Sequence, residues 1–454
     1  MAMKSKTMNM TEGSPVRLLI IFAIPMLIGN IFQQMYNMVD SAIVGKFVGA
    51  EALAAVGATG SVSFLFFALC NGIGSGGGIL TAQYFGAGKD ESVKKAIVNS
   101  AYILLLGSLL MGIISFVFAK DLLHMMATPD ELMADSLVYM RMQCIGLPLV
   151  AVYNHVSSML RALGDSKTPL YFLIFSCILN TGLDLWFVYG LGMGVFGAAL
   201  ATIIAQLIAG VGCLAYAIKY NSYFKLQREH FRMEKNMIWS TVRLGVPLSL
   251  QFSLIAISCM ALQRVVNGFG PAVMAAFTAT SRIEQLIHQP YGTLSTALST
   301  YSGQNLGAEK MDRIKLGFKK SIIMMSIFSL LMLPIIQFGG EWIVKLFVDD
   351  PEVIYYGAVS MRITSCFYIF LGLIYMTRGV LNGVGDAMFA LINGIVEVIG
   401  RITIPIMLTM IPFIGVWGIW WATALTWMLS AVFCVWRYIS WKKKKMVALV
   451  NAMA

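Results

Sequence analysis

The sequence contains few charged residues, and this shortage excludes a soluble fold. Of its 454 residues, only 12% are Asp, Glu, Lys or Arg, whereas 58% are hydrophobic. Soluble domains carry about 25% charged residues to cover a water-facing surface. The hydrophobic residues form long blocks, such as 97–119 and 321–339, and a helix of about 20 such residues spans a bilayer. We therefore expect an all-α integral membrane protein.

Residue types that carry enzymatic or metal chemistry are also scarce. The seven cysteines fall inside apolar blocks without a CxxC pair, so we expect reduced packing residues and neither a disulfide nor a metal site. The four histidines are scattered and show no HExxH spacing. A glycine run at 72–77 fits the dinucleotide fingerprint, but it ends an apolar helix and follows no strand, which indicates close helix packing. We therefore expect no enzyme and no cofactor.

The apolar blocks predict twelve transmembrane helices. Their approximate bounds are 16–38, 52–77, 96–118, 136–158, 169–189, 195–218, 240–266, 272–298, 318–338, 356–378, 388–410 and 415–438. The basic N-terminus precedes an apolar run without a small-x-small cleavage site, which favours an uncleaved first span.

The basic residues predict the orientation of these spans. Lys and Arg concentrate in the N-terminal segment, in the loops after even-numbered spans and in the C-terminal tail, whereas the opposite loops hold Lys46, Lys120 and Lys345. The positive-inside rule then places both termini in the cytoplasm of a cell-membrane protein. The net charge of +11 is explained by this asymmetry, so it does not indicate nucleic-acid binding.

The two halves of the sequence repeat with an offset of 221. Residues 49–59 align with 270–280, 83–89 with 304–310, and 160–165 with 381–386. Each half has six spans, so the repeats are parallel around an axis along the membrane normal. We expect a six-helix lobe at 1–218, a cytoplasmic linker at 219–239, and a second six-helix lobe with a basic tail at 240–454. Such a pair of lobes suits alternating access.

Polar side chains inside the spans of the first half are candidates for function, because a charge in hydrocarbon costs several kcal/mol. Sets that share one helix face are Gln33, Tyr36, Asn37 and Asp40; Asn180 and Asp184; and Thr202 and Gln206. The two carboxylates have no counterpart in the second half, where Ala261 and Pro405 stand at the offset of 221. The alternative for Asp40 is an interfacial residue that pairs with Lys46.

The second half carries a different polar set. Glu284 and His288 share one face, for which substrate contact and packing are both open. Glu397 and Arg401 are also four residues apart, which favours an intrahelical ion pair. His155 in the first half is expected at the cytoplasmic interface. Residues expected to line a substrate cavity are Gln33, Gln34, Asn154, Gln206, Glu284 and His288.

Several motifs together resemble the multidrug and toxic compound extrusion (MATE) family, in its DinF-like prokaryotic branch. They are Pro25 to Gly57, the QYFGAG run at 83–88, the LRALGDSKTP run at 160–169, the pair Asn180 and Asp184, Gly194 to Thr202, and QNLGA at 304–308. The resemblance covers about 14–440. It implies two six-helix lobes in a V-shaped arrangement.

The resemblance also implies residue roles. A coupling site for protons or sodium ions matches Asp40, Asn180, Asp184 and Thr202, with Tyr36 and Asn37 beside it, and a bend in the first helix matches Pro25. The NorM-like branch has a glutamate on its seventh helix where this sequence has Ile255. A sodium site of that kind in the second lobe is therefore not expected.

The implied function is antiport: export of cationic or amphipathic organic compounds in exchange for protons or sodium ions. Expected partners are a small organic substrate and membrane lipid, and the chain is expected to be a monomer. One alternative is a flippase for lipid-linked oligosaccharides or polyisoprenoids, which would favour a basic cavity. An intramembrane enzyme and a nontransporting scaffold are the others, and the in-membrane carboxylates argue against the scaffold.

Overall fold

The computed structural model describes residues 7–126 and 128–453, without the side chains of 61, 256 and 444–453. Lys4 and Lys6 of the predicted basic N-terminus lie outside these residues. In the first half the helices are α1 Pro15–Phe47, α2 Ala50–Ala58, α3 Gly60–Gly86, α4 Asp90–Val117, α5 Ala119–Met125, α6 Asp130–Ala162, α7 Lys167–Asp184 and α8 Gly194–Tyr220. In the second half they are α9 Lys235–Asn267, α10 Pro271–Gly307, α11 Met311–Lys345, α12 Pro351–Ser365, α13 Tyr368–Gly383, α14 Ala387–Thr409 and α15 Gly418–Met453. The described residues form no strand, and the predicted all-α class is confirmed.

The number of spans agrees with the predicted twelve. Ten helical segments are long and apolar enough to cross a membrane, and α12 and α13, bent by 55° at their junction, together form an eleventh. The remaining predicted span corresponds to α10. This helix has 37 residues and is longer than the membrane is thick, but its polar residues lower its mean hydropathy. Two of the predicted spans are broken helices in the structure. One consists of α12 and α13, and the other consists of α2 and α3.

Short polar caps explain where several helices begin. Before α7, the Asp165 carboxylate accepts hydrogen bonds from the Lys167 and Thr168 amides at 3.1 and 3.0 Å. Before α12, the Asp350 carboxylate accepts from the Glu352 amide at 2.8 Å. Such caps satisfy amide groups that lack a partner in the first turn. They fix the helix ends from which the in-membrane side chains are positioned.

The repeat extends to the backbone conformation of the loops. Eight of the ten described residues with positive φ form four pairs 221 apart: 49 and 270, 88 and 309, 164 and 385, and 194 and 415. In three pairs both residues are glycine, but Gly88 (φ 67°) is matched by Glu309 (φ 59°). Glu309 is the one non-glycine residue with positive φ among those described. The repeated loops therefore keep their shape even where the residue type has changed.

The described chain divides into two compact units. The first takes its residues from Met1–Glu12, Ile21–Leu250 and Gly303–Glu309, and the second from Gly13–Ile20, Gln251–Ser302 and Lys310–Ala454. The residues between α8 and α9 contain two short 3₁₀ turns, Ser222–Phe224 and Arg228–Phe231. The predicted lobe bounds at 218 and 240 stay a prediction.

The segment between α8 and α9 is attached to the start of α4. The imidazole of His230 is fully buried, with Nε2 at 2.5 Å from Glu91 and Nδ1 accepting from the Gln227 amide at 2.8 Å. Lys95 donates to Glu234 at 2.8 Å. These contacts hold the predicted linker against the first unit.

The glycine run at 72–77 lies within α3 and allows a close helix approach, as predicted. A Cβ on Gly76 would meet the Gly245 nitrogen at 2.5 Å. Real Cβ atoms do not come this close to backbone, so α3 and the first part of α9 require glycine at this crossing. The run is a packing feature of the first unit.

The N-terminal segment is fixed by residues distant in sequence. The Met10 amide donates to Gln304 Oε1 at 2.8 Å, and the Asn305 amide nitrogen donates to the Met10 carbonyl at 3.1 Å. Gln304 also donates to the Ala162 carbonyl at 2.9 Å, and Met10 is fully buried. The end of α10 thereby connects the chain's beginning to the end of α6.

We predict that Gly88 and Glu309 differ in their response to alanine. A left-handed non-glycine residue costs about 1–2 kcal/mol, and a Cβ on Gly88 would meet nothing within 4 Å, so backbone strain alone should matter. Gly88→Ala should lower the melting temperature of the purified protein, whereas Glu309→Ala should leave it nearly unchanged. Equal losses for both variants would contradict this explanation.

Candidate functional site

Polar residues of four helices meet inside the first unit. The residues that converge are Tyr36 and Asp40 of α1, Tyr139 of α6, Asn180 and Asp184 of α7, and Thr202 of α8. Asn180 and Asp184 are each 1% exposed, and Asp40 is partly buried. The helical spacing that placed each set on one face thus aims these sets at one another. We refer to these six residues as the acidic cluster.

Two carboxyl groups form the centre of the acidic cluster. The carboxyl groups of Asp40 and Asp184 lie close enough to each other to interact electrostatically. Two carboxylates so close together, away from water, resist simultaneous ionisation unless a cation lies between them. The pair can therefore hold a proton or exchange it for a metal cation.

Neutral oxygen atoms surround this pair. The Asn180 side-chain amide donates to the Thr202 hydroxyl at 3.3 Å, and that hydroxyl donates to the Ala198 carbonyl at 3.1 Å. The Tyr36 hydroxyl is also hydrogen-bonded to Thr202. Carboxylate, amide and hydroxyl oxygens are the ligands that hard cations prefer. The donor set fits a sodium ion as well as a proton.

Sequence reasoning missed Tyr139. It is 7% exposed and interacts electrostatically with both Asp40 and Asp184, and it is hydrogen-bonded to Gln143 one turn further along α6. The Ser63 hydroxyl donates to Gln143 Oε1 at 2.6 Å. The signal in the sequence was weak, since a lone tyrosine among apolar residues is usual in a membrane helix. The four-residue spacing of Tyr139 and Gln143 could have indicated a polar face.

A rare helix geometry follows Asp184. The chain turns into a π-helix at Leu185–Gly190, directly after α7. Short π segments occur often at functional sites because they rotate the flanking side chains relative to an α-helix. Asp184 therefore lies at the junction between an α-helix and a π-helix.

The other predicted site residues differ in how deeply their side chains are buried. Pro25, Gln33, Gln34, Asn154 and Gln206 lie in α1, α6 and α8, and all but Pro25 are partly buried. Asn154 donates to the Val150 carbonyl of its own helix at 3.0 Å. Asn37 is exposed, so its side chain faces away from the buried part of the acidic cluster.

The interfacial alternative for Asp40 is not supported. Among the described residues no ion pair joins Lys46 to Asp40, and the Lys46 ammonium lies 5.9 Å from the ring centre of Phe47. The carboxyl group of Asp40 instead contacts that of Asp184. His155, expected at the interface, is buried at 7% exposure within α6.

The ion pair predicted between Glu397 and Arg401 is wrong. Glu397 pairs with Arg378 of α13, and the two side chains are 6% and 9% exposed. The Ser430 hydroxyl adds a 3.1 Å hydrogen bond to the same carboxylate. Sequence reasoning favoured the helical neighbour, but the packing of α13 against α14 places a second arginine nearer. Arg401 donates to the Cys259 sulfur at 3.1 Å.

Glu284 and His288 of α10 face this region of the second unit. The Glu284 carboxyl group is hydrogen-bonded to Thr364. The His288 ring centre lies 5.6 Å from that of Trp427 and 6.4 Å from that of Tyr368, both edge to face. The two residues therefore share one helix face, as predicted.

We predict that Glu397→Gln destabilises the protein strongly. Removing one partner of a buried ion pair leaves the Arg378 charge without compensation, which costs about 3–5 kcal/mol. The melting temperature of the purified variant should fall accordingly. The matched control is Glu341→Gln, because the Glu341–Arg362 pair is exposed and such pairs contribute below about 1 kcal/mol. Similar losses in both variants would show that Arg378 and Glu397 do not depend on each other.

Sequence comparison identifies related proteins. The sequence model of the family described as MatE matches residues 25–186 and 247–407, once in each half. The probable multidrug resistance protein YpnP of Bacillus subtilis strain 168 is 30% identical over 97% of this chain and 99% of its own length. The multidrug export protein MepA of Staphylococcus haemolyticus is 22% identical over 90% of each chain.

Solved structures share the fold. A crystal structure described as MATE in the bent conformation superposes with a TM-score of 0.90 at 24% identity, over 98% of this chain and 99% of that one. An outward-facing multidrug resistance MATE transporter of the MOP superfamily gives a TM-score of 0.89 at 24% identity, with the same coverage. These matches confirm the predicted fold class.

Proposed function

Since the chain belongs to the MatE family, we propose that it exports cationic or amphipathic organic compounds in exchange for protons or sodium ions. Family membership confirms the prediction of a membrane transporter that is not an enzyme. The names of YpnP and MepA support small organic compounds as substrates. We also propose that the chain acts as a monomer.

The proximity of the Asp40 and Asp184 carboxyl groups inside the first unit is the observation that carries the coupling proposal. The pair stays neutral or singly charged while it holds a proton, and it gains negative charge when the proton leaves. A cation that enters from outside moves down the membrane potential, which contributes about 2.3 kcal/mol per charge per 100 mV. The acidic cluster thereby gives the driving ion a place to bind inside the first unit.

Binding of the ion must weaken binding of the substrate for exchange to occur, because coupling between two ligands is reciprocal. Asp40 lies on α1, the helix that contains Pro25. Proline removes one backbone hydrogen bond, so α1 can bend there at low cost. We propose that neutralising Asp40 changes the packing of α1 against α7 and α8, and that this movement releases the substrate.

The flippase alternative has less support. A lipid diphosphate would need several uncompensated cations in the spans. Arg378 is already neutralised by Glu397, and Arg264 at the end of α9 is exposed. Among the described arginines of α9, α13 and α14, this leaves Arg401 as a single candidate to bind a diphosphate.

The chain is a multi-span protein of the cell membrane, and we propose that both of its termini face the cytoplasm. The support is the distribution of Lys and Arg in the sequence.

We predict that neutralising either carboxyl group stops coupled export. Asparagine keeps the volume of aspartate but cannot exchange a proton, so Asp40→Asn should abolish efflux of ethidium from vesicles under an imposed pH or sodium gradient. Asp184→Asn should cause a similar or partial loss, since Asn180 and Thr202 still offer oxygen atoms. Running each gradient alone identifies the coupling ion.

The matched control for these variants is Asp121→Asn, which removes an exposed carboxylate of α5 and should transport normally. Melting temperatures of all three variants separate lost coupling from lost folding. Wild-type rates in Asp40→Asn, with unchanged pH and sodium dependence, would refute the coupling site.

We predict that single cysteines reveal the orientation. In a background without the native cysteines, an impermeant thiol reagent should label a cysteine at Asp130 from outside and one at Lys89 from inside, since both positions are exposed. A reporter fused after Ala454 should be active in the cytoplasm. The reverse labelling pattern would overturn the proposed orientation.

A further inference from the structure

Arg401 is a charged side chain in the second unit that has no ion pair among the described residues. Its Nη1 contacts the Cys259 sulfur, a weak acceptor, and its Nε is buried without a hydrogen-bond partner. A guanidinium stays protonated in proteins and offers five donors. Glu397 is already bound to Arg378. Arg401 therefore has donors available for an acceptor that the protein does not itself provide.

Aromatic rings pack against His288, a residue near Arg401 in the second unit. His288, which interacts electrostatically with Arg401, packs edge to face against Trp427 and Tyr368. The Nε2 atom of His288 is also buried without a hydrogen-bond partner. Arg401 and His288 are themselves only partly buried, so a ligand can reach them. Two buried polar atoms without partners, on adjacent side chains, indicate that something outside the chain completes their hydrogen bonds.

The repeat shows that this place in the second unit corresponds to the acidic cluster in the first. At the offset of 221, Arg401 matches Asn180. The Glu284–Thr364 hydrogen bond likewise matches the Ser63–Gln143 hydrogen bond. This pair of positions therefore makes a similar contact in both halves, but the charged groups differ. The first unit presents the carboxyl groups of Asp40 and Asp184, and the second presents the guanidinium of Arg401 near Glu284.

The chemistry of these side chains defines the ligand class. Guanidinium binds carboxylate through two parallel hydrogen bonds, and histidine and tryptophan rings stack on aromatic compounds. Glu284 is close enough to Arg401 to interact electrostatically, and it suits the ammonium group of the same ligand. A compound with only positive charge would leave Arg401 without an acceptor.

We propose that Arg401 binds the carboxylate of an aromatic zwitterionic substrate, beside the rings of His288 and Trp427. This inference rests on the proposed export function and makes its substrate class more specific. It assigns to the second unit recognition of the substrate's acidic group, while the acidic cluster of the first unit binds the driving ion.

The test compares binding of ciprofloxacin, an aromatic zwitterion, with binding of its ethyl ester, which lacks the carboxylate. Purified wild-type protein in nanodiscs should bind the acid about tenfold more tightly than the ester, as expected for one charge-assisted contact. Arg401→Gln should remove this preference and leave the affinity for the ester unchanged. Arg401→Lys should keep part of it, because lysine retains the charge but not the paired geometry.

The matched control is Arg264→Gln, which removes an exposed arginine of the same unit and should keep the tenfold preference. Melting temperatures check folding. Two results would overturn the proposal. One is equal affinity of the wild-type protein for the acid and the ester, and the other is an unchanged preference for the acid in Arg401→Gln. If Arg401→Gln fails to fold, an unchanged preference in Arg401→Lys would overturn it.

Efflux of ethidium, a permanent cation without a carboxylate, separates this inference from the proposed function. Gradient-driven ethidium efflux by wild-type vesicles tests export itself and does not depend on Arg401. Absence of that efflux would refute export while the binding preference still tests the Arg401 site.

Discussion

The cost of an uncompensated charge in hydrocarbon governs where this protein places its polar side chains. The two units meet this constraint differently. In the second unit, Arg378 and Glu397 neutralise each other permanently. In the first, Asp40 and Asp184 are both acidic and can be neutral only with a proton or a cation between them. The second unit therefore carries a counterion for Arg378 within its own sequence, whereas the proposed coupling site of the first unit takes its positive charge from solution.

The repeat separates what the fold needs from what one site needs. Loops keep their positive-φ residues in both halves, even at Glu309, where glycine would be less strained. Side chains inside the spans have diverged, so that Ala261 and Pro405 stand where Asp40 and Asp184 would recur. Duplication thus supplied two equivalent frameworks, and their interiors were free to acquire opposite charge.

Much of the fold and part of the site could be predicted from sequence. Long apolar blocks determine spans because a helix satisfies its own backbone hydrogen bonds. Helical spacing placed Asn180 and Asp184 on one face, and the family resemblance implied that they meet Asp40. The sequence showed a polar face on α10 at Glu284 and His288, but it could not show that this face meets Thr364 of α12 and Trp427 of α15.

Long-range partners were the main failure. Arg378 lies 19 residues from Glu397, and local helical spacing could not reveal that it would displace Arg401. Nothing within α6 linked Tyr139 to the acidic cluster, because Asp40 and Asp184 lie on other helices. Pairings between helices depend on how the helices pack, which the pattern of a single helix does not contain.

The contact between Met10 and Gln304 has a consequence for biosynthesis. The two residues are 294 positions apart, and a ribosome adds roughly 5–20 residues per second. For tens of seconds after its own synthesis, the N-terminal segment therefore exists before the Gln304 side chain that it contacts in the folded protein. The first six spans are therefore synthesised before the end of α10, which belongs to the same unit. The first unit becomes complete only when α10 has left the ribosome. Truncated chains that end before Gln304 would lack this contact and leave the segment accessible to proteases.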